Sequence, residues 1–365
     1  MSISFEDMKK QTSIEKLELK RPQPDLEFYK KILEQGFINF PKRRENYQKY
    51  LNVKAFENHI DFMPIKLDVE IAARCNLRCH MCDVSTWKGG RRKIEDMSFE
   101  DFKEIINIQY GAIELRIQGL GEPTLNKSFP EMIAYARSKD LWVRTTTNAT
   151  LLHKQERYKR IIDADICEIM ISVDGVSKET YEKIRINSSF EKIVENCKLL
   201  NSYLHQKKSF SRSKMWVTIQ NDNIHELFDF PKFAIELGFD KLGVSIELTY
   251  WGKEEWSAKN LPKIARVTQE DIYKLTNIAS KLDIEIGFES INKYSMKNLC
   301  RWPFERAYIS TDKRLVPCCM VANSDVYNFG VLGDFNTLWN NEQYKDFRSA
   351  HINGKVPKIC LNCYR

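Results

Sequence analysis

Three cysteines, Cys75, Cys79 and Cys82, stand within eight positions in the stretch "ARCNLRCHMCDV". Thiolates bind metals and do redox chemistry, and nothing nearby has the spacing of a disulfide scaffold. The gaps are three residues, then two. Zinc sites generally draw four ligands from C-x-x-C pairs. Three thiols with no fourth close by suit a four-iron cluster whose last iron stays open to another ligand, so the spacing favours iron over zinc.

The rest of the chain must position these thiols. Its 365 residues are enough for one large domain and a small one. It has no run of about 18 consecutive apolar residues, and its start lacks the apolar core of a secretory signal. A cytoplasmic protein with reduced thiols is expected, with no membrane partner. The formal charge of +7 is ordinary for a solvated surface. The basic runs "WKGGRRK" and "HQKKSFSRSK" lack the interleaved aromatics of a nucleic-acid surface, so no nucleic-acid partner is expected. A non-catalytic metal-binding or nucleic-acid-binding protein is the reading from another class.

Residues 1–64 read as a helical, polar N-terminal extension. From Ile65 to about residue 290, strand patterns alternate with helix patterns through six β/α units, which argues for a parallel α/β sheet. Residues 291–365 are short, irregular and cysteine-rich. Strand parity adds a constraint, because side chains alternate faces. Leu67, Val69 and Ile71 oppose Asp68 and Glu70, while Ile113, Leu115 and Ile117 oppose Glu114, Arg116 and Gln118. Met215, Val217 and Ile219 oppose Trp216, Thr218 and Gln220. Leu242, Val244 and Ile246 oppose Ser245 and Glu247. Strands covered by helices on both sides would be apolar on both faces. One apolar and one polar face imply a curved sheet with helices outside and a polar lumen inside. Closed barrels fill their lumen with branched apolar side chains. This barrel is therefore expected to be partial and built for a polar ligand, with internal salt bridges such as Arg116 to Glu70 or Glu114.

The cysteine triplet follows the first strand, and "CNLRCHMC" there resembles the signature of radical S-adenosylmethionine (SAM) enzymes; the resemblance covers residues 65–365. It implies a partial (β/α)6 barrel in which three cysteines hold a [4Fe–4S] cluster and SAM chelates the fourth iron. Reduction would then cleave SAM to a 5′-deoxyadenosyl radical that abstracts hydrogen from substrate. "QGLGEP" resembles the family's Gly-Gly-Glu segment for the SAM amino group, with Gly121 and Glu122 in matching places and Leu120 as a departure. Ser172 in "SVDG" matches the position that meets the ribose. Met81 takes the place near the adenine. Asn148 matches a strand-end asparagine usually followed by glycine, where this chain has Ala149.

The C-terminal segment "CRWPFERAYISTDKRLVPCC" with the final "CLNC" resembles the SPASM/Twitch extensions of these enzymes. The resemblance implies that Cys300, Cys318, Cys360 and Cys363 hold one auxiliary [4Fe–4S] cluster, a four-cysteine zinc knuckle being the competing reading. A full SPASM domain would need further cysteines past the last pair. Cys167 and Cys197 are expected to pack in the core, Cys197 at helical spacing from Ile193 and Val194. Cys319 could return a hydrogen atom to a substrate radical, and Glu247 could serve as a base at the end of the sixth strand.

The expected activity is an oxidoreductase that oxidises, or epimerises, a carbinol of a sugar or aminocyclitol. Modification of a ribosomal peptide is the alternative. A flavodoxin or ferredoxin would supply electrons.

Overall fold

The computed structural model describes residues 24–87, 92, 94–246, 248, 254–289 and 294–364. Glu247, the first 23 residues, most of "WKGGRRK" and the expected boundary at 290–291 lie outside the described residues.

One sheet organises the chain. Its strands are β1 (Lys66–Val69), β2 (Glu114–Ile117), β3 (Trp142–Thr147), β4 (Glu168–Ser172), β5 (Arg212–Thr218), β6 (Lys241–Ser245), β7 (Glu285–Glu289), β8 (Arg306–Ile309) and β9 (Leu315–Val316). The order is β7-β6-β5-β4-β3-β2-β1-β8-β9, and every pairing is parallel except β8 with β9. The sheet does not close on itself, which makes the barrel partial. It is wider than the six strands expected. β7 extends one side, and β8, from the cysteine-rich segment, pairs with β1 on the other. The C-terminal segment thus begins as a continuation of the barrel wall.

Two N-terminal helices, α1 (Leu26–Asn39) and α2 (Pro41–Leu51), precede β1. The crossover helices are α3 (Phe99–Ile108), α4 (Phe129–Arg137), α5 (Arg157–Asp163), α6 (Lys178–Ile184), α7 (Phe190–Lys207), α8 (Phe230–Glu236), α9 (Glu254–Asn260) and α10 (Gln269–Lys281). Hydroxyls fix several starts: Ser98, Ser177 and Ser189 each accept from a backbone N–H of the first turn, and Thr268 forms a capping box with Asp271. Each such cap stabilises its helix by about 1 kcal/mol. α11 (Trp302–Glu305), α12 (Phe335–Trp339) and α13 (Glu342–Ile352) follow in the C-terminal segment. Among the described residues no helix is long and apolar enough to cross a membrane.

The parity pattern holds. Leu67, Leu115, Ile169, Met215 and Leu242 are buried in the main core, together with Phe102, Phe129, Ile193 and Phe230 of the helices. Each side chain buried this way contributes about 1.5–3 kcal/mol. Cys197 belongs to that core. Cys167 packs in a separate cluster with Trp142 and Ile32 of α1. The opposite faces carry Asp68, Glu70, Glu114 and Lys214, all buried.

The N-terminal extension closes the amino end of this lumen. The Tyr29 hydroxyl of α1 donates to Glu114 at 2.7 Å, and the rings of Phe28 and Tyr29 meet Trp142 edge-on at 5.4 and 5.2 Å. Asp25 pairs with Arg212. The lumen therefore opens toward the carboxyl ends of the strands.

Candidate active site

Those carboxyl ends carry the first thiol group. Cys75, Cys79 and Cys82 lie on the loop after β1, with Cys79 buried and the others half-buried. The Leu77 N–H donates to Cys75 Sγ at 3.4 Å, and the Cys82 N–H donates to the Cys79 carbonyl at 3.0 Å. Burial pushes the Cys75 thiol up to about 12, and it raises Cys79 and Cys82 as well. Thiols held neutral in this way ionise when a metal binds.

The neighbouring strand ends converge on the same loop. Gly121 sits against β1's exit: a Cβ there would fall 2.1 Å from the Ala72 carbonyl oxygen, so only glycine fits. Glu122 is buried. Its Oε1 accepts from Thr124 N, Thr124 Oγ1 and Thr147 Oγ1, and its Oε2 accepts from Asn148 N at 2.8 Å. Oε2 keeps acceptor capacity for one more donor. Asn148 lies 3.8 Å through Nδ2 from Cys75 Sγ and 3.0 Å from Asn76 Oδ1. The next residue, Ala149, has φ +56°, the left-handed conformation that favours glycine, and is fully buried. Ser172 ends β4 in register with Trp216, and Met81 is half-buried on the thiol loop beside His80, whose ring meets Gln220 at 2.8 Å.

One residue of this site escaped sequence reasoning. Arg185, just after α6, donates to Asp174 at 2.6 Å and to Cys79 Sγ at 3.8 Å. Asp174 also accepts from Thr218 N at 2.8 Å, so the pair ties the β4 and β5 ends to the thiol loop. A lone arginine in "KIRINSS" carries no spacing signal; only the fold brings it 106 positions back to Cys79.

The second thiol group assembles from distant segments. Cys300 precedes α11, Cys318 follows β9, and Cys360 and Cys363 lie in the turn Lys358–Cys363. The Cys318 thiol interacts electrostatically with Cys319, Cys360, Cys363 and Cys300, which places all five together. Tyr364 Oη accepts from Cys300 N–H at 2.9 Å and lies 2.7 Å from Nδ1 of the buried His351. No two of the ten cysteines are joined by a disulfide.

An apolar cluster beside the first group reaches Cys319, next to the second. Val84, Leu120, Tyr308, Val316 and Ala322 form it, and Cys75 and Cys82 pack on it together with Cys319. Cys319 also interacts electrostatically with Arg306 and Tyr308 of β8.

Other expectations need correction. Arg116 pairs with neither Glu70 nor Glu114: Glu70 pairs with Arg92, and Glu114 with Lys66 at 3.0 Å and Arg144 at 3.4 Å. The sequence missed Arg92 as a lumen cation because it stands in a loop, outside any strand parity. Lys214, from the run "HQKKSFSRSK", is buried against Glu168 at 3.2 Å instead of solvated.

The donor set fits the expected groups: three thiols on one loop with an arginine and an amide beside them, and four more thiols gathered in the C-terminal segment. When bound, a four-iron cluster and SAM supply a carbon-centred radical able to abstract hydrogen from an unactivated carbon.

The chain matches the model of the radical SAM superfamily over residues 69–230 and that of the SPASM iron–sulfur cluster-binding domain over residues 300–364. It is 23% identical to the PqqA peptide cyclase of Bradyrhizobium diazoefficiens over 329 residues, covering 82% of this chain and 79% of the relative. It is 28% identical to the mycofactocin maturase MftC of Mycolicibacterium smegmatis over 51% of its length, spanning 45% of that relative. Streptococcus suis SuiB, solved bound to its precursor peptide SuiA, superposes with a TM-score of 0.61 at 14% identity, covering 88% of this chain and 78% of SuiB. That likeness shows a shared fold. The thiol triplet at the barrel mouth, the strand-end residues around it and the second thiol group agree with both matches: the chain belongs to the radical SAM superfamily and carries a SPASM-type iron–sulfur cluster-binding domain at residues 300–364.

Proposed function

We propose that this radical SAM enzyme modifies a peptide, abstracting hydrogen from a residue held in the barrel lumen. The observation that carries this reading is the match to PqqA peptide cyclase over 82% of the chain, well beyond the barrel alone. It displaces carbinol oxidation of a sugar or aminocyclitol, which rests on the polarity of the lumen and on the expectation of a single auxiliary cluster.

In this reading Cys75, Cys79 and Cys82 hold the SAM-binding cluster. Glu122 Oε2 receives the SAM ammonium group, and Met81, Asn148, Ser172 and Arg185 complete the cofactor's surroundings. Cys300, Cys318, Cys360 and Cys363 hold an auxiliary cluster, and a small reducing protein supplies electrons. Hydrogen abstraction leaves a carbon radical on the peptide. A cluster held by Cys300, Cys318, Cys360 and Cys363 would be able to accept a second electron, and with a proton released to solvent the product would be two hydrogens lighter, with a new bond or a double bond. Cys319, packed on the same apolar cluster as Cys75 and Cys82, is the group that would instead return a hydrogen atom and epimerise the carbon.

The test is anaerobic turnover in deuterated water with short peptides encoded beside the gene, followed by product mass analysis. A two-hydrogen loss supports the reading. A product of unchanged composition carrying one carbon-bound deuterium, lost in Cys319→Ala, keeps the peptide and replaces oxidation by epimerisation. Inert peptides together with dehydrogenation of a sugar alcohol would overturn it.

A further inference from the structure

The lumen charges do not cancel locally. Glu114 is matched by Lys66 and Arg144, Glu168 by Lys214, and Glu70 by Arg92. Arg306 lies 3.5 Å from Glu305. Arg116 is different: among the described residues its guanidinium makes no hydrogen bond or ion pair, and its Nε is buried without a partner.

Its position is fixed by register. Asp68, Arg116 and Arg144 stand side by side on β1, β2 and β3, and Tyr308 of β8 stands beside Asp68 on the other flank. Adjacent strands are about 4.8 Å apart, so these four residues form one row across the lumen wall. Leu115 and Ile117, which flank Arg116, are buried in the outer core, so Arg116 faces inward.

The other members of the row also hold unused polar atoms. Asp68 Oδ2, Arg144 Nε and Tyr308 Oη are buried without partners, and Tyr308 is 1% exposed. Three arginines, Arg116, Arg306 and Arg144, bear on the single carboxyl of Asp68. A buried donor left without a partner costs about 1–3 kcal/mol, more if charged. Such a penalty collected in one row is offset when a ligand supplies acceptors. The amino end of the lumen is closed by α1, so that ligand enters from the mouth where the thiol loop lies.

We infer that Arg116, with Arg144 beside it and Tyr308 on the far side of Asp68 in the same row, forms a subsite for a carboxylate carried by the substrate, and that the enzyme selects a peptide with an acidic side chain at the position entering the barrel. This inference rests on the peptide reading for the carrier, not for the charge. The guanidinium binds the carboxylate by charge-assisted hydrogen bonds, and Tyr308 donates to the same group. Burial raises the Asp68 carboxyl above its ordinary range, which lessens its repulsion of an incoming anion. Along β3 the row lies four residues, about 13 Å, below Asn148. An acidic side chain reaching down to it holds its own backbone nearer the mouth, where the radical is generated.

The test is calorimetric binding to the anaerobically reconstituted enzyme with SAM present. The probes are the capped tripeptides Ac-Gly-Glu-Gly-NH2 and Ac-Gly-Gln-Gly-NH2, and free glutarate. The glutamate peptide should bind roughly 10- to 100-fold more tightly than the glutamine peptide, the range expected for a hydrogen bond to a charged group. Arg116→Gln should erase that preference, and Arg116→Lys should keep part of it. Thermal midpoint and iron content report whether each variant has folded. Equal binding of the two peptides, an undiminished preference in Arg116→Gln, or no binding of any probe would overturn the subsite. The two readings fail separately. Equal binding of both peptides spares the peptide and sinks the subsite. Glutarate binding as tightly as the glutamate peptide, and weakened by Arg116→Gln, supports the subsite and counts against a peptide carrier.

Discussion

The two thiol groups, linked through the apolar cluster on which Cys75, Cys82 and Cys319 pack, are built in opposite ways. At the barrel mouth, all three thiols come from a single loop, and polar groups at neighbouring strand ends surround it: Asn148 beside Cys75, Arg185 beside Cys79 and Glu122 beneath. In the C-terminal segment, the thiols come from three separated stretches and aromatic packing holds them. Phe329 and Tyr344 pack tilted at 33° with centroids 3.9 Å apart, and the Arg348 guanidinium lies 4.4 Å over Trp339 and 4.3 Å over Tyr344. The polar surroundings of the first group suit a site that must also bind a charged small molecule. The second group, its four thiols half-buried and its neighbourhood mostly aromatic, suits a centre held for a metal alone.

The largest effect that would sharpen this contrast comes from Cys79. With two thiols left on the loop, Cys79→Ala should lose reductive SAM cleavage to below detection, measured as 5′-deoxyadenosine. In Cys363→Ala, SAM cleavage with a strong reductant should persist while peptide turnover fails. Equal loss of both activities in the two variants would break the division of labour.

Arg185→Met comes next. It strands the fully buried Asp174 carboxylate, and removing one partner of a buried pair typically costs about 3–5 kcal/mol. The thermal midpoint should fall accordingly, and SAM affinity with it. An unchanged midpoint would mean that Asp174 finds another partner.

Around the second group the expected effect is smaller and depends on pH. Burial drops the His351 imidazole from 6.5 to about 4, so the folded chain excludes a proton that the unfolded chain takes up between those values. Stability is therefore full above about pH 6.5 and falls as the pH drops toward 4, by up to about 3 kcal/mol. His351→Gln can still accept from Tyr364 without titrating, and should flatten that slope in a denaturant series. A slope identical to wild type would remove His351 from this role.

The smallest effect is at Ala149. Relieving its left-handed backbone is worth about 1–2 kcal/mol, and losing the buried methyl costs about 0.8 kcal/mol. Ala149→Gly should be stabilising by less than about 1 kcal/mol, whereas Ala149→Val, bulkier at the same φ, should destabilise.

What the sequence made legible follows the same division. The thiol loop, the strand parity and the strand-end residues Glu122, Asn148 and Ser172 could be read because each is local: a spacing, an alternation, a place at the end of a strand. Arg185 and Arg92 could not, since each reaches its carboxylate or thiol partner from a loop with no period of its own. The pairing of β8 with β1 was hidden for a similar reason. Those strands are separated by more than two hundred residues, and "ERAYIS" carries too short an alternation to announce a barrel strand. The salt bridges expected of Arg116 failed because parity says which face a side chain occupies but not which neighbour it meets.

In the proposed reaction the radical generated at the barrel mouth takes its hydrogen from a peptide. The most direct measurement is deuterium transfer. A candidate peptide labelled at all carbon positions of its acidic residue is incubated anaerobically with the reconstituted enzyme, SAM and reductant, and the mass of 5′-deoxyadenosine is recorded. The account predicts 5′-deoxyadenosine one mass unit heavier, formed in step with loss of label from the peptide. Unlabelled 5′-deoxyadenosine beside a fully labelled peptide, while another substrate class is consumed, would contradict it.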